Sequence, residues 1–254
     1  MVNNNYIILT ATVTPAMAIG NTIRSDPQLR LQEYLSAFDF YWSLPDQLVA
    51  GIVLLENSGH SFENFENIVK SKACLKEVFF ISTTQDYPAE NGKGYGEFFM
   101  LDQGIQQLRL NGLTGGSLLW KVTGRLIVKN MREMLEEAPD TFSLYADFRH
   151  IPFFGKRLGG NEWLELRIAA MSLDGYDKYF RNHFSDGYVI EHAFFERLYP
   201  ILKQRDTSVY PRFNTQPELL GVSGYSNKSY SSFEYKIKGL IRKISRKITP
   251  WFWI

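Results

Sequence analysis

Three segments early in the chain consist almost entirely of apolar residues, and they limit the fold more than any other feature. They are YIILTATV at residues 6–13, LVAGIVLLEN at 48–57 and EVFFIST at 77–83. A strand that is apolar at nearly every position has both faces buried, as in a parallel sheet covered by helices. Residues 29–42 separate the first two segments, and their apolar side chains recur at helical spacing. This order predicts an α/β fold with a mostly parallel sheet flanked by helices.

The remainder of the chain continues this pattern less clearly. We predict a helix at 97–110, strands at 117–128 and 141–150, and mainly helical structure at 161–202. Residues 221–232, GVSGYSNKSYSS, have the composition of a linker. The predicted organisation is therefore an α/β domain at 1–220, a linker at 221–232 and a separate C-terminal segment at 233–254.

The C-terminal segment has the pattern of a basic amphipathic helix. Its apolar residues fall on one helical face: Ile237, Leu240, Ile241, Ile244 and Ile248. Six basic residues occupy much of the rest: Lys236, Lys238, Arg242, Lys243, Arg246 and Lys247. Trp251, Phe252 and Trp253 follow. This composition is typical of a helix that lies in a membrane interface, with docking on the protein's own core or on a second subunit as the alternative.

Composition excludes several functional classes. The formal net charge is +1, and the positive charge is concentrated in the C-terminal segment, so we expect no nucleic-acid partner. Cys74 is the single cysteine, which excludes a cysteine-rich metal site. The sequence shows neither a spanning apolar segment nor the pattern of a signal peptide. We therefore expect a cytoplasmic protein that associates peripherally with the inner leaflet of the cell membrane through its C-terminal segment.

Polar clusters follow several predicted strands, where ligands bind in open α/β sheets. After strands lie the pairs Thr10 and Thr12, Glu56 and Asn57, and Asp147 and Arg149. The segment GKGYGE contributes Lys93, Gly94, Tyr95 and Gly96 ahead of a helix, and the segment KVTGR contributes Lys121, Thr123, Gly124 and Arg125. A glycine-rich turn before a helix can offer backbone N–H groups to a phosphate, although an ordinary turn has the same pattern. Each cluster could be a solvated loop, but together they predict one polar crevice.

The order of these motifs resembles a family of glycosyltransferases found in bacterial capsule and O-antigen gene clusters. The matching motifs are ILTATVTP, LRLQEYLSAFDFY, LLENSG, GKGYGE, KVTGR, DFRH, YVIEHAFFERL and GVSGYSNKSY. They extend over residues 6–230, with ENSG, GKGYGE and K-x-TGR the most specific. The resemblance implies a GT-A-like, Rossmann-like sugar transferase that acts in surface polysaccharide (capsule, O-antigen, lipopolysaccharide) biosynthesis. It does not imply which sugar is transferred.

A glycosyl donor carries a phosphate or diphosphate leaving group, whose negative charge must be stabilised as the bond to the sugar breaks. Many GT-A enzymes use a metal ion held by a D-x-D motif, and this sequence contains no D-x-D. We therefore expect no metal site and no cofactor; Mg²⁺ or Mn²⁺ would be compatible but is not indicated. The expected phosphate-binding cations are Lys93, Lys121, Arg125 and Arg149, which could alternatively form surface ion pairs.

Inverting transfer needs a base that takes the proton of the acceptor hydroxyl. Three carboxylates are candidates for this catalytic role: Glu191, Glu97 and Asp147. Glu191 begins a helix with an apolar stripe and matches the position at which GT-A folds often carry their base, so it ranks first. Glu97 suits the capping of a helix equally well, and Asp147 could simply orient Arg149.

The expected partners are an activated sugar donor, a saccharide acceptor that could be lipid-linked, and an anionic membrane surface. The donor could be a nucleoside diphosphate sugar or phosphoribosyl diphosphate, and the sequence does not decide between them. The alternative to an enzyme is a catalytically silent subunit that binds saccharide or scaffolds a membrane polysaccharide-assembly complex. Clustering of Lys93, Lys121, Arg125 and a carboxylate favours the enzyme, whereas their dispersal favours the scaffold.

Overall fold

The computed structural model describes residues 4–16, 24–183, 189–204, 207–224, 227–249 and 252–254. Its strands are β1 (Asn5–Ala11), β2 (Gly51–Glu56), β3 (Glu77–Ser82), β4 (Leu118–Thr123), β5 (Ile127–Val128), β6 (Leu144–Tyr145), β7 (Phe148–Arg149), β8 (Trp163–Leu164), β9 (Ile168–Ser172), β10 (Val209–Tyr210) and β11 (Leu219–Leu220). Its α-helices are α1 (Pro27–Trp42), α2 (Glu63–Ser71), α3 (Gly92–Leu110), α4 (Met131–Glu136), α5 (Leu173–Tyr179), α6 (Ile190–Lys203) and α7 (Phe233–Ile248). Single turns of 3-10 helix lie at Ala89–Asn91 and Gly155–Arg157.

The central sheet has the strand order β10-β6-β9-β4-β1-β2-β3. β9 runs antiparallel to β4 and β6, and the other neighbouring strands are parallel. α1, α2 and α3 connect β1, β2, β3 and β4 in turn, because parallel neighbours require crossover connections. The order 3-2-1-4 of the first four strands is the one found in doubly wound sheets. The predicted α/β fold with a mostly parallel, helix-flanked sheet is confirmed.

The core has one layer on each face of the sheet. Alternation along β1 directs Ile7 to one layer and Ile8 to the other, and both are buried. α1 covers the first face with Phe38. α3 and α6 cover the second, where the ring centroids of Phe98 and Phe194 are 4.7 Å apart. Burial on both faces explains why the first strands are apolar at nearly every position.

The helix predicted at 97–110 begins five residues earlier, so the glycine-rich segment is its first turn rather than a turn ahead of it. The glycines permit close packing. A Cβ at Gly94 would lie 2.5 Å from Cγ2 of Ile190, and one at Gly96 would lie 2.0 Å from the hydroxyl of Tyr87. The start of α3 was predicted too late because glycine has a low helix propensity, so a segment with three glycines has the pattern of a turn.

The strand predicted at 117–128 ends at Thr123, because the chain turns sharply at Gly124. The N–H of Gly124 donates to the carbonyl of Thr10 at 3.0 Å, and that of Leu126 donates to the carbonyl of Thr123 at 2.8 Å. A Cβ on Gly124 would lie 2.6 Å from the same Thr10 oxygen, so the close approach requires glycine. The remaining apolar residues form β5, which pairs with β11 outside the main sheet.

Two further expectations about the second half need correction. The strand predicted at 141–150 is divided between β6 in the main sheet and β7, which pairs with β8. The mainly helical region predicted at 161–202 also contains β9, the antiparallel strand of the central sheet. β9 is only five residues long, and a short apolar run does not reveal its type by periodicity.

α7 is the predicted C-terminal amphipathic helix, and it contacts the body through its polar side. Nη2 of Arg246 lies 2.5 Å from Oδ2 of Asp147, and both side chains are almost fully buried. The five apolar residues predicted to share one face remain 42 to 68% exposed: Ile237, Leu240, Ile241, Ile244 and Ile248. The helix is therefore held to the body by charge, while its apolar face is turned outward.

The segments around α7 also contact the body. The N–H of His150 donates to the carbonyl of Trp253 at 2.7 Å, and Arg167 lies over the ring of Tyr230 at 4.8 Å. Trp251 lies outside the described residues. The division into domains at 221–232 stays a prediction. Within the described ranges, no helix is long and apolar enough to span a bilayer.

Candidate active site

The candidate active site lies where the carboxyl ends of β1, β2 and β4 meet the N-termini of α3 and α6. The register of the parallel strands places Thr10 beside Thr123, and Lys121 is two residues before Thr123 on the same face of β4. The tight contact between Gly94 and Ile190 brings the first turns of α3 and α6 together. Polar residues predicted from three separate segments therefore converge on one crevice.

Glu97 connects α3 to the sheet at the centre of this crevice. Its Oε1 atom accepts hydrogen bonds from the hydroxyls of Thr10 at 2.7 Å and Thr123 at 3.4 Å. The ammonium of Lys121, whose side chain is 2% exposed, lies 2.7 Å from the same oxygen. Lys121 also donates to the carbonyl of Leu166. The negative charge of Glu97 is thus used to neutralise a buried lysine and to hold α3 in place, which suits a positioning role better than that of a base.

A group of basic side chains lies at the adjacent part of the crevice. Burial lowers the pKa of Lys93, and the nearby guanidinium groups of Arg30 and Arg125 lower it further. Nη1 of Arg125 donates to Glu33 at 3.0 Å, and Nε of Arg24 donates to the other carboxylate oxygen of Glu33 at 2.7 Å. The mutual repulsion of Lys93, Arg30 and Arg125 decreases when an anion binds among them.

Arg30 was not predicted from the sequence. Its guanidinium donates to the carbonyl of Thr12 at 2.8 Å and to the hydroxyl of Tyr34 at 3.0 Å, and it is 6% exposed. A signal was present, because Arg30 shares the buried helical face of α1 with Tyr34 and Phe38 at steps of four residues. A charged residue in such a face requires partners or a ligand.

Glu56, Asn57 and Thr12 hold the loops after β1 and β2 together. The carboxylate of Glu56 is 1% exposed and accepts hydrogen bonds from the backbone N–H groups of Val13 at 3.1 Å and of Ser58 and His60 at 2.9 Å. The hydroxyl of Thr12 donates to Oδ1 of Asn57 at 2.7 Å. The polar atoms of these side chains are thus engaged in hydrogen bonds that fix the two loops at the edge of the crevice.

Tyr95 and Gly96 support the first turn of α3. The ring of Tyr95 packs against Tyr87 and Phe99, with centroid distances of 5.7 and 6.3 Å. Gly96 fits beneath the hydroxyl of Tyr87, where no side chain could be placed. The structure therefore shows a packing role for both residues.

Glu191 lies in the first turn of α6, within electrostatic range of Glu97 and Lys121. Burial raises the pKa of Glu191 to about 7, and the negative charges of Glu165 and Glu97 add to the rise while Lys121 opposes it. Such a carboxylate is partly ionised at neutral pH and basic enough to accept a proton from a bound hydroxyl. Of the three predicted catalytic carboxylates, Glu191 is the one whose environment suits a general base.

Asp147 and Arg149 lie farther along the sheet, beneath α7. Oδ1 of Asp147 accepts hydrogen bonds from the N–H of Phe213 at 2.9 Å and from Arg246 at 3.0 Å. Arg149 forms an ion pair with Glu165. Burial would raise the pKa of Glu165, but Arg167 and Arg149 outweigh it and hold this pKa well below its usual range. Both predicted residues are therefore occupied by protein partners.

The described part of the chain contains no group of three or more His, Cys, Asp or Glu residues that could hold a metal ion. Glu97 forms an ion pair with Lys121, and the charge of Lys121 also acts on Glu191.

No protein-family model matches this sequence, and no curated protein is significantly similar to it. Solved structures with a similar course of the backbone include glucosyl-3-phosphoglycerate synthase from Mycobacterium tuberculosis in complex with Mn²⁺, UDP and glucosyl-3-phosphoglycerate. It is 14% identical, covers 82% of this chain and 68% of its own, and gives a TM-score of 0.47.

Two nucleotidyltransferases are similar to a comparable degree. 4-Diphosphocytidyl-2C-methyl-D-erythritol synthase is 10% identical over 95% of this chain and 99% of its own, with a TM-score of 0.45. The inositol-1-phosphate CTP transferase from T. maritima is 13% identical over 78% of this chain and 82% of its own, with a TM-score of 0.43. At these values the likeness assigns no substrate or activity to this chain.

Proposed function

We propose that this protein is a glycosyltransferase that moves a sugar from a nucleotide- or diphosphate-linked donor to a saccharide acceptor. The observation that supports this most strongly is the close contact between the first turns of α3 and α6, which brings the basic group around Lys93 near a carboxylate with a pKa of about 7. Stabilisation of a departing phosphate and removal of a proton are the two tasks of sugar transfer. The motif resemblance supports a role in bacterial surface polysaccharide biosynthesis.

The diphosphate of the donor binds among Lys93, Arg30 and Arg125. Arginine presents paired N–H groups to phosphate oxygens, and the positive charge gathered there offsets the charge that develops on the leaving group. The two helix N-termini of α3 and α6 add a favourable partial positive charge at the same end of the sheet. The acceptor hydroxyl then lies beside Glu191, which takes its proton as the oxygen attacks the anomeric carbon and the diphosphate departs.

The protein acts at the cytoplasmic face of a membrane, with the outward apolar face of α7 in the interface. The exposed side chains of Ile237, Ile241 and Ile244 supply the apolar contact, and lysines on the neighbouring face supply attraction to anionic lipids. This position brings the crevice near an acceptor that is attached to a lipid.

Turnover with a panel of donors tests the proposed function. Nucleoside diphosphate sugars and phosphoribosyl diphosphate are each incubated with the full-length protein, with and without saccharide acceptors, and release of the leaving group is measured. We expect release from one donor class, stimulated by an acceptor. Binding of saccharide without release from any donor, under conditions in which the protein is folded, would support the silent scaffold instead.

Arg125→Ala should weaken donor binding by about 1.5–3 kcal/mol, roughly tenfold to a hundredfold in Kd, because a charged hydrogen bond to phosphate is lost. Glu33 keeps Arg24 as a partner, so the variant should remain folded. Calorimetric titration of the donor measures the effect. Arg132→Ala, on the exposed surface of α4, is the control and should bind as the wild type does. Equal affinities of the two variants would remove Arg125 from the donor site.

Turnover should persist in EDTA, because basic side chains rather than a D-x-D-bound metal are proposed to neutralise the leaving group. The measurement compares initial rates before and after chelation, and after Mg²⁺ or Mn²⁺ is restored. Complete loss in EDTA with recovery on addition of either ion would contradict metal-independent transfer.

A further inference from the structure

A second group of arginines lies between α7 and the body, apart from the basic group near Lys93. Arg149, Arg167 and Arg242 line a cavity there together with Glu165, which forms ion pairs with both Arg149 and Arg167. Asp147 also lines the cavity, but it is already paired with Arg246. The carboxylate of Glu165 is thus shared by two guanidinium groups, those of Arg149 and Arg167, while the third arginine, Arg242, lines the same cavity.

Within the part of the chain that the structure describes, Arg242 is the guanidinium of this cavity that forms no ion pair. Among the described residues it makes neither an ion pair nor a side-chain hydrogen bond, although it is half-buried. Burial, and then repulsion from Arg149, lower the pKa of Arg242 to about 10. An unpaired, partly desolvated arginine beside two others is a position that an anion would stabilise.

Two of these arginines border a second, larger cavity of about 220 Å³ that is largely apolar. Arg149 and Arg242 line it together with Ile151, Ile241 and Trp253. Ile241 also belongs to the exposed apolar face of α7. A continuous path therefore leads from the arginine group, through an apolar cavity, to the surface that we propose lies in the membrane.

The arginine group is also next to the candidate active site along the chain. Glu165 and Arg167 flank Leu166, whose carbonyl accepts a hydrogen bond from Lys121. The negative charge of Glu165 also contributes to the raised pKa of Glu191. The short connection between β8 and β9, residues 165–167, thus carries contacts to both the arginine group and the crevice.

We propose that Arg149, Arg167 and Arg242 bind the phosphate or diphosphate of a lipid-linked acceptor, whose hydrocarbon chain enters the cavity beside Ile241 and Trp253. The anionic head matches the excess of guanidinium groups, and the apolar cavity matches the chain attached to it. The role as acceptor rests on the proposed glycosyltransferase function, whereas the binding site does not. Bound in this way, the first sugar of the acceptor lies toward Glu191.

Titration calorimetry with a water-soluble, short-chain isoprenyl diphosphate tests the site in the full-length protein. The wild type should bind this probe, and Arg242→Gln should weaken binding roughly tenfold to a hundredfold. Lys243→Gln is the matched control, since Lys243 is the next residue of α7 and is exposed. Arg242→Lys, which keeps the charge, should recover part of the affinity. Both glutamine variants should bind the sugar donor normally, which shows that they are folded.

Three results would overturn the proposal. Absence of binding to the wild type would remove the site, and equal loss in Arg242→Gln and Lys243→Gln would reduce it to general attraction by a basic helix. Inorganic diphosphate that binds as tightly as the isoprenyl compound would show a site for free phosphate rather than for a lipid. If no donor of the panel is turned over while the isoprenyl compound still binds in an Arg242-dependent manner, the proposed enzyme is contradicted and this binding site is supported.

Discussion

Glu191→Gln should lower kcat by a factor of about 10² to 10⁴, the usual contribution of a general base. Glutamine keeps the size of the side chain but cannot accept the proton of the acceptor hydroxyl. Donor affinity should change little, because the proposed donor contacts come from Lys93, Arg30 and Arg125. The measurement is the acceptor-stimulated release of the leaving group under saturating donor.

The pH profile distinguishes a base from a residue that merely supports the fold. With a pKa of about 7, Glu191 should make kcat rise with pH up to roughly neutral pH and then level off. Glu191→Gln should remove this rise. Glu196→Gln is the control, because Glu196 lies on the exposed side of α6 and pairs with Lys156. Equal kcat in the two variants, or an unchanged pH profile in Glu191→Gln, would remove Glu191 from catalysis.

The same pKa has a consequence for stability. Because the folded pKa of Glu191 lies above that of an unfolded glutamate, about 4.3, its contribution to stability is fully present below the unfolded value and is lost as pH rises through about 7. The Glu191→Gln variant has no buried carboxyl group to ionise, so it does not lose stability in this way as pH rises. The melting temperature of the variant relative to wild type should therefore increase between pH 5 and pH 8.

Asp147→Ala should lower the free energy of unfolding by about 3–5 kcal/mol, because it leaves the guanidinium of Arg246 buried without its partner. Asp147 accepts hydrogen bonds from Nη1 of Arg246 at 3.0 Å, from Nη2 at 2.5 Å and from the N–H of Phe213 at 2.9 Å. The side chain of Arg246 is only 6% exposed. Denaturant titration measures the loss, and Asp140→Ala, at an exposed aspartate, is the control that should change little.

A double variant tests the physical reason for this effect. Asp147→Ala combined with Arg246→Met removes both charges and should recover much of the lost stability, since no unpaired buried ion remains. Near-wild-type stability of Asp147→Ala alone would show that α7 contributes little to the folded body. That result would favour the predicted division into an independent domain and a separate C-terminal segment.

The sheet could be predicted because its first strands are buried on both faces, which leaves a continuous apolar signal in the sequence. The bounds of α1 and β3 differ from the prediction by two residues or fewer at each end. α3 and β4 were harder, since a glycine required by close packing has the same appearance in sequence as a turn. Gly94 fits against Ile190, almost a hundred positions away, and no local pattern encodes that contact.

The residues of the candidate site could be predicted from the sequence, but the contacts between them could not. Thr10, Glu97 and Lys121 were each identified from their own segments, and only the register of β1 and β4 places them at one oxygen. Asp147 was predicted to act in the crevice, yet its partner Arg246 comes from a helix 99 positions later. Arg242 was assigned to a membrane surface, because its position between α7 and the body depends on that same docking.

Hydrogen–deuterium exchange of the full-length protein with saturating donor tests the central claim, that the crevice at the carboxyl ends of β1 and β4 binds the donor's phosphates. Slower exchange should appear in the loop after β1, in the first turn of α3 and at the turn following β4, around Thr12, Lys93 and Arg125. The arginine group beneath α7 should be unaffected by donor. Protection confined to α7, or equal exchange with and without every donor of the panel, would contradict the account.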